Sequence, residues 1–167
     1  REEWALAYAA SASPVRFNPA RAHEVLQAPN AEGHTATPDQ FVAARHVLLE
    51  QRAVSVLIGP AGTGKTFVQE SIARAALDQG VPVVGLTLGS NAAQVLADEI
   101  ANDRVRTFNI AQAIEASKHG HSRIPTGGLV IVDEAGMVPD AELAWVLAEA
   151  ERNGCKTLLV GDHHQLS

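Results

Sequence analysis

The chain has 167 residues, a formal net charge of −6, a single cysteine and 46% hydrophobic side chains. That suffices for one core of ordinary domain size; it excludes a disulfide-stapled scaffold, and the acidic balance argues against a stand-alone nucleic-acid binder held by phosphate neutralisation. No apolar run reaches membrane-spanning length and nothing at Arg1-Glu2-Glu3 resembles a secretion signal, so a reducing, cytoplasmic setting is expected, with Cys155 a buried structural thiol.

Residues 2–10 and 19–28 read as helices separated by a Ser/Pro stretch, and 28–37 as a polar linker. Trp4 and Tyr8, one helical turn apart, are expected to pack against a preceding region. Pro38 to Arg52 reads as a helix with Phe41, Val42, Ala44, Val47 and Leu48 on its apolar side. Val54 to Ile58 is a β-branched apolar run, and it leads directly into Gly59-Pro60-Ala61-Gly62-Thr63-Gly64-Lys65-Thr66. This is G-x-x-x-x-G-K-[ST], the spacing that grips a polyphosphate with backbone N–H groups. Lys65 reaches the β- and γ-phosphates and the Thr66 hydroxyl ligates magnesium. A helix over 65–79 stopped by Gly80 completes the strand, loop, helix context that the motif requires.

Further strands are expected at 82–88, 128–132 and 157–160, alternating with helices at 91–101, 108–117 and 140–153. Asp140 is read as the cap of the last helix and Gly154 as its end, with Trp145 in the core. Strand and helix in alternation imply right-handed crossovers and a parallel sheet covered on both faces. The run Leu129-Val130-Ile131-Val132 ends in Asp133-Glu134. At the carboxyl end of a buried strand, Asp133 suits a second magnesium contact and Glu134 can deprotonate an attacking water. After the next strand, Gly161-Asp162-His163-His164-Gln165 brings a neutral amide, Gln165, able to report the γ-phosphate. Residues 104–123 gather Arg104, Arg106, Lys118 and Arg123 against the one acid Glu115. They fit a solvated helix and loop or a nucleic-acid-facing segment equally well.

These ordered motifs resemble those of superfamily 1 DNA helicases in the RecD-like branch, and most closely the helicase portion of conjugative relaxases of the TraA and TrwC type. Thr37-Pro38-Asp39-Gln40 resembles the upstream glutamine motif, which implies that Gln40 recognises adenine. Gly59 to Thr66, with Phe67 beside them, match the first motif, Asp133-Glu134-Ala135 the second, and Gly161-Asp162 with Gln165-Leu166 the third. Gly85 to Ala93 resembles the segment that touches single-stranded DNA in the family, although Leu88-Gly89 stand where the family commonly has Pro then Ser or Thr. Gly89, Asn91 and Thr107 are the implied DNA contacts.

The resemblance covers 37–167 and leaves 1–36 as a helical extension or linker. It implies an α/β, three-layer RecA-like fold with a mostly parallel sheet, in which strand 157–160 lies between the two strands bearing the phosphate loop and Asp133. ATP and Mg2+ are the implied ligands and single-stranded DNA the implied partner. Lys65, Glu134 and Gln165 are the implied catalytic residues, with Thr66 and Asp133 at the metal. A second RecA-like domain, carrying a completing arginine, is expected outside these residues. Three functions are compatible: a DNA-translocating motor domain, an ATPase of the same fold serving as a switch or loader, and a non-catalytic nucleotide-binding module.

Overall fold

The structure is a computed structural model, and it describes residues 7–59 and 64–162. Five strands, β1 (Val54–Ile58), β2 (Val83–Thr87), β3 (Arg106–Asn109), β4 (Leu129–Val132) and β5 (Lys156–Gly161), form one sheet in the order β1-β5-β4-β2-β3. Every neighbouring pair is parallel. Around it lie α1 (Pro19–Gln27), α2 (Pro38–Leu49), α3 (Lys65–Asp78), α4 (Ser90–Ile100), α5 (Ile110–Lys118) and α6 (Asp140–Arg152).

The two-residue period of a strand decides which face each helix covers. Leu129 and Ile131 of β4 join a core with Leu26, Val47, Ile72 and Leu96 from α1 to α4. Val130 and Val132 join the opposite core with Ile110 of α5 and Val146 of α6. Three layers result, and β4 is buried throughout, as the continuous apolar run requires. The expected placement of β5 between β1 and β4 is observed. It carries the loop strand and the acidic strand to one end of the sheet.

Four expectations need correction. The segment assigned wholly to a helix from 108 begins as β3, and α5 starts only at Ile110, capped by Asn109, whose side chain accepts from the Gln112 N–H at 2.7 Å. β3 is an edge strand of four residues with Arg106 and Asn109 at its ends, too short and too polar to show a strand period. Asp140 is the first helical residue of α6, Pro139 is the cap residue, and no side chain closes the turn. In α2, Ala44, Val47 and Leu48 are buried but Val42 is 64% exposed, because at 100° per residue it falls opposite their stripe.

Tyr8 does not await a preceding region. It is 4% exposed, packs against Ala53 and Leu147, and donates its hydroxyl to the Cys155 carbonyl at 3.3 Å. Its neighbours tie the same segment to the approach of β1: Ser13 N–H donates to the Gln51 carbonyl at 2.6 Å and Ala53 N–H to that of Ser11 at 2.8 Å. Lys156, fully buried at the start of β5, donates to the carbonyls of Glu50 and Arg52, both at 2.8 Å. Burial lowers its pKa to about 8. Cys155 is buried, as expected, and Trp145 packs on the α5–α6 core.

Candidate nucleotide site

The carboxyl ends of β1, β4 and β5 meet at the start of α3. Gly59 N–H donates to the Gly161 carbonyl at 3.3 Å, which joins the exit of β1 to that of β5. Pro60, Ala61, Gly62 and Thr63 lie outside the described residues. Gly64 then takes φ +82°, a left-handed turn that glycine adopts without strain, and α3 begins at Lys65 with no side-chain cap. The uncapped N–H groups and the helix dipole make this terminus receptive to an anion.

Gln40 is brought directly against that turn. A Cβ on Gly64 would stand 2.3 Å from Gln40 Nε2. The position follows from a capping box: Thr37 N–H donates to Gln40 Oε1 at 2.9 Å, and Gln40 N–H donates to Thr37 Oγ1 at 3.2 Å. With its oxygen so engaged, the Gln40 amide turns its nitrogen toward the loop. Beside it a cleft of about 510 Å³ is lined by Leu26, Gln27, Thr35, Ala36, Pro38 and Phe41.

Asp133 continues β4 and is half-buried, its N–H donating to the Leu86 carbonyl at 3.0 Å. Gln69, one turn beyond Lys65 on α3 and only 2% exposed, donates Nε2 to Asp133 Oδ1 at 3.3 Å. Burial raises the Asp133 pKa, opposed by the Gln69 and Glu134 hydrogen bonds; the Glu99 charge raises it further and Lys65 lowers it. Thr66 Oγ1 donates to Glu99 Oε2 at 3.4 Å. Lys65, Thr66 and Asp133 therefore converge, with Glu99 of α4 as an added carboxylate. Glu134, exposed, holds φ 50°, ψ 43° at the start of the turn Ala135–Met137. Gln165 lies outside the described residues, as do His163 and His164, while Phe67 is half-buried on the first turn of α3.

The donors fit a hard divalent cation. Hydroxyl and carboxylate oxygens are what Mg2+ takes, and the buried Gln69 Oε1 beside Asp133 has no hydrogen-bond partner. Among the described residues no group of three or more His, Cys, Asp or Glu could hold a metal ion by itself.

Sequence reasoning missed Gln69 and Glu99. Gln69 had a signal, a polar residue four after Lys65 between the buried Val68 and Ile72. Glu99 had none, since it reaches the site only through the packing of α4 on α3. Of the three residues singled out for DNA, Gly89 is the cap residue of α4 at φ +89° and Asn91 is exposed on its first turn. Thr107 instead faces α4, donating its hydroxyl to the Ala93 carbonyl at 2.9 Å.

Residues 35–167 match the AAA domain family. The chain belongs to that family. Two curated relatives are similar to this AAA domain. The probable conjugal transfer protein TraA of Sinorhizobium fredii (strain NBRC 101917 / NGR234) is 31% identical over 145 residues, 86% of this chain and 13% of the relative. Conjugal transfer protein TraA of Rhizobium radiobacter is 30% identical over 166 residues, 91% of this chain and 15% of its own length. The chain thus spans only about a seventh of the relatives it matches. Among solved structures, the UvsW helicase from Bacteriophage T4 superposes with a TM-score of 0.63 at 12% identity, over 87% of this chain and 60% of that one. The likeness shows a shared fold. The AAA domain therefore has a RecA-like α/β fold and is homologous to a segment of the TraA proteins. Among the described residues no helix is long and apolar enough to cross a membrane.

Proposed function

We propose that this domain binds ATP with magnesium, hydrolyses it, and couples the cycle to movement along single-stranded DNA as the first motor domain of a conjugative relaxase-helicase. The observation that carries the reading is the joining of α3 to β4 through Gln69 and Asp133, at 3.3 Å, one turn from Lys65 and Thr66. A loop that only bound phosphate would not need a half-buried carboxylate at its back.

In this reading the backbone at 59–66 and the Lys65 ammonium hold the β- and γ-phosphates, while Gln40 and the cleft beside it receive the base. Thr66 and Asp133 would hold Mg2+, which supplies charge neutralisation to the phosphate oxygens when bound. Glu134 accepts a proton from a water whose oxygen bonds to the γ-phosphorus as the bond to the bridging oxygen breaks. ADP and phosphate leave, and Glu134 returns its proton to solvent. Gln165 reports the γ-phosphate. Gly89 and Asn91, at the carboxyl end of β2, are the proposed DNA contacts, with Thr107 supporting them through α4. Residues 37–167 form the motor domain and 1–36 an extension, and a second RecA-like domain with its arginine is the proposed partner. An arginine finger contributes about 10³-fold or more in related chemistry. The 167-residue chain alone should therefore bind nucleotide well and turn it over slowly.

The test is phosphate release against binding of a fluorescent ATP analogue. Glu134→Gln should keep the affinity within about twofold and lower release by about 100-fold or more. Equal release by the variant would remove Glu134 from its role, and loss of binding as well would make it structural.

A further inference from the structure

A second cluster of charge lies away from the nucleotide site, at the amino ends of β2 and β3. Arg106 and Phe108 share one face of the edge strand, opposite to Thr107. The guanidinium of Arg106 stands 5.3 Å from the Phe108 ring centroid, and that of Arg123, from the loop before β4, stands 5.2 Å from the same centroid. Arg104 completes a pocket of about 260 Å³ whose floor is Pro82, Val83 and Val84. All three arginines are exposed, and none has an ion-pair partner among the described residues. Glu149, which Ser122 of the pocket reaches at 3.5 Å, is already engaged by Arg152.

Gathering cations on one ring without a carboxylate costs mutual repulsion, which a bound anion relieves. The ring contacts orient the two guanidiniums and leave their forked N–H donors free, the geometry that takes a phosphate on two parallel hydrogen bonds. In a chain of net charge −6, such a site stands out against a repulsive background. We propose that Arg104, Arg106 and Arg123 with Phe108 form a phosphate-binding site for a single nucleic-acid strand lying along the β3 edge of the sheet. The exposed guanidinium planes held on Phe108 offer a base a stacking surface that a carboxylate-bearing peptide would not use. The site needs no bound ATP, and the inference does not depend on hydrolysis.

Anisotropy of a fluorescent oligothymidylate across a salt series, with the 167-residue chain and no nucleotide, tests it. Arg106→Gln/Arg123→Gln should weaken binding about tenfold and flatten the log–log salt slope by roughly 1.4, the value for two lost contacts to a single strand. Arg123→Gln alone, in a loop outside the sheet, gives a smaller loss in the same direction should the double variant fold poorly. Binding of the ATP analogue should be unchanged in both. An unchanged affinity and slope, absence of oligothymidylate binding by the parent chain, or stronger competition by polyglutamate than by unlabelled oligothymidylate would each overturn the inference. None of these outcomes touches the reading of the nucleotide site.

Discussion

Glu134 holds a left-handed backbone, φ 50° and ψ 43°, with its carboxylate in solvent. For a residue with a Cβ this conformation costs about 1–2 kcal/mol, and among the described residues no side-chain hydrogen bond of Glu134 offsets it. Strain of this kind collects where a side chain must be aimed. Glu134→Gly should therefore melt no lower than the parent in a thermal scan while losing phosphate release. A clear fall in melting temperature would show that the side chain stabilises the turn. Lys156 is the second residue under tension. Its ammonium sits fully buried on two carbonyls, and burial lowers its pKa to about 8 from 10.5. Between those two pH values the unfolded chain binds more protons, so this group adds stability as pH rises through that window. Below pH 8 the cost of burying the charge is present in full, on the order of 3–4 kcal/mol at one pKa unit per 1.4 kcal/mol. Urea midpoints at pH 7 and pH 9.5 should rise for the parent relative to Lys156→Met. A parallel pH response of the two proteins would contradict this.

At the scale of elements, the turn from β1 into α3 depends on a glycine that cannot be replaced. Gly64 combines φ +82° with Gln40 Nε2 at 2.3 Å from where a Cβ would lie. Gly64→Ala should displace Gln40, break the capping box of α2 and weaken nucleotide binding by at least tenfold, at a stability cost of about 1–2 kcal/mol. Analogue titration and urea unfolding check the two halves separately, and intact binding would mean that the loop does not need this turn. These elements were legible because each carried a strong local signature: four β-branched or apolar residues among the five before the loop, glycines within it, a continuous apolar run before Asp133. β3 was not legible. Four residues at a sheet edge, three of them polar, carry no period, and only pairing with β2 makes them a strand. Asp140 misled for a related reason, since a good capping residue beside a proline can sit one position inside the helix.

At the scale of the molecule, the segment 8–17 is stitched to the domain by Tyr8, Val15 and Phe17, all buried. Tyr8→Ala should cost about 3 kcal/mol in urea unfolding, because a buried aromatic leaves both a cavity and lost contacts. A change below about 0.5 kcal/mol would show this segment to be dispensable. The site itself was only partly visible in the sequence. Lys65, Thr66 and Asp133 were found by spacing, whereas Glu99 and the arginine pocket on Phe108 exist only because packing brings distant segments together. The proposed motor function requires that α3, β4 and the phosphate loop form one magnesium-dependent binding site. The most direct measurement is a titration of the 167-residue chain with a fluorescent ATP analogue, with and without Mg2+, for the parent, Lys65→Ala and Asp133→Asn. The account predicts saturable binding by the parent that falls at least tenfold without magnesium, is lost in Lys65→Ala, and loses its magnesium dependence in Asp133→Asn. Binding that ignores magnesium and both substitutions would contradict it.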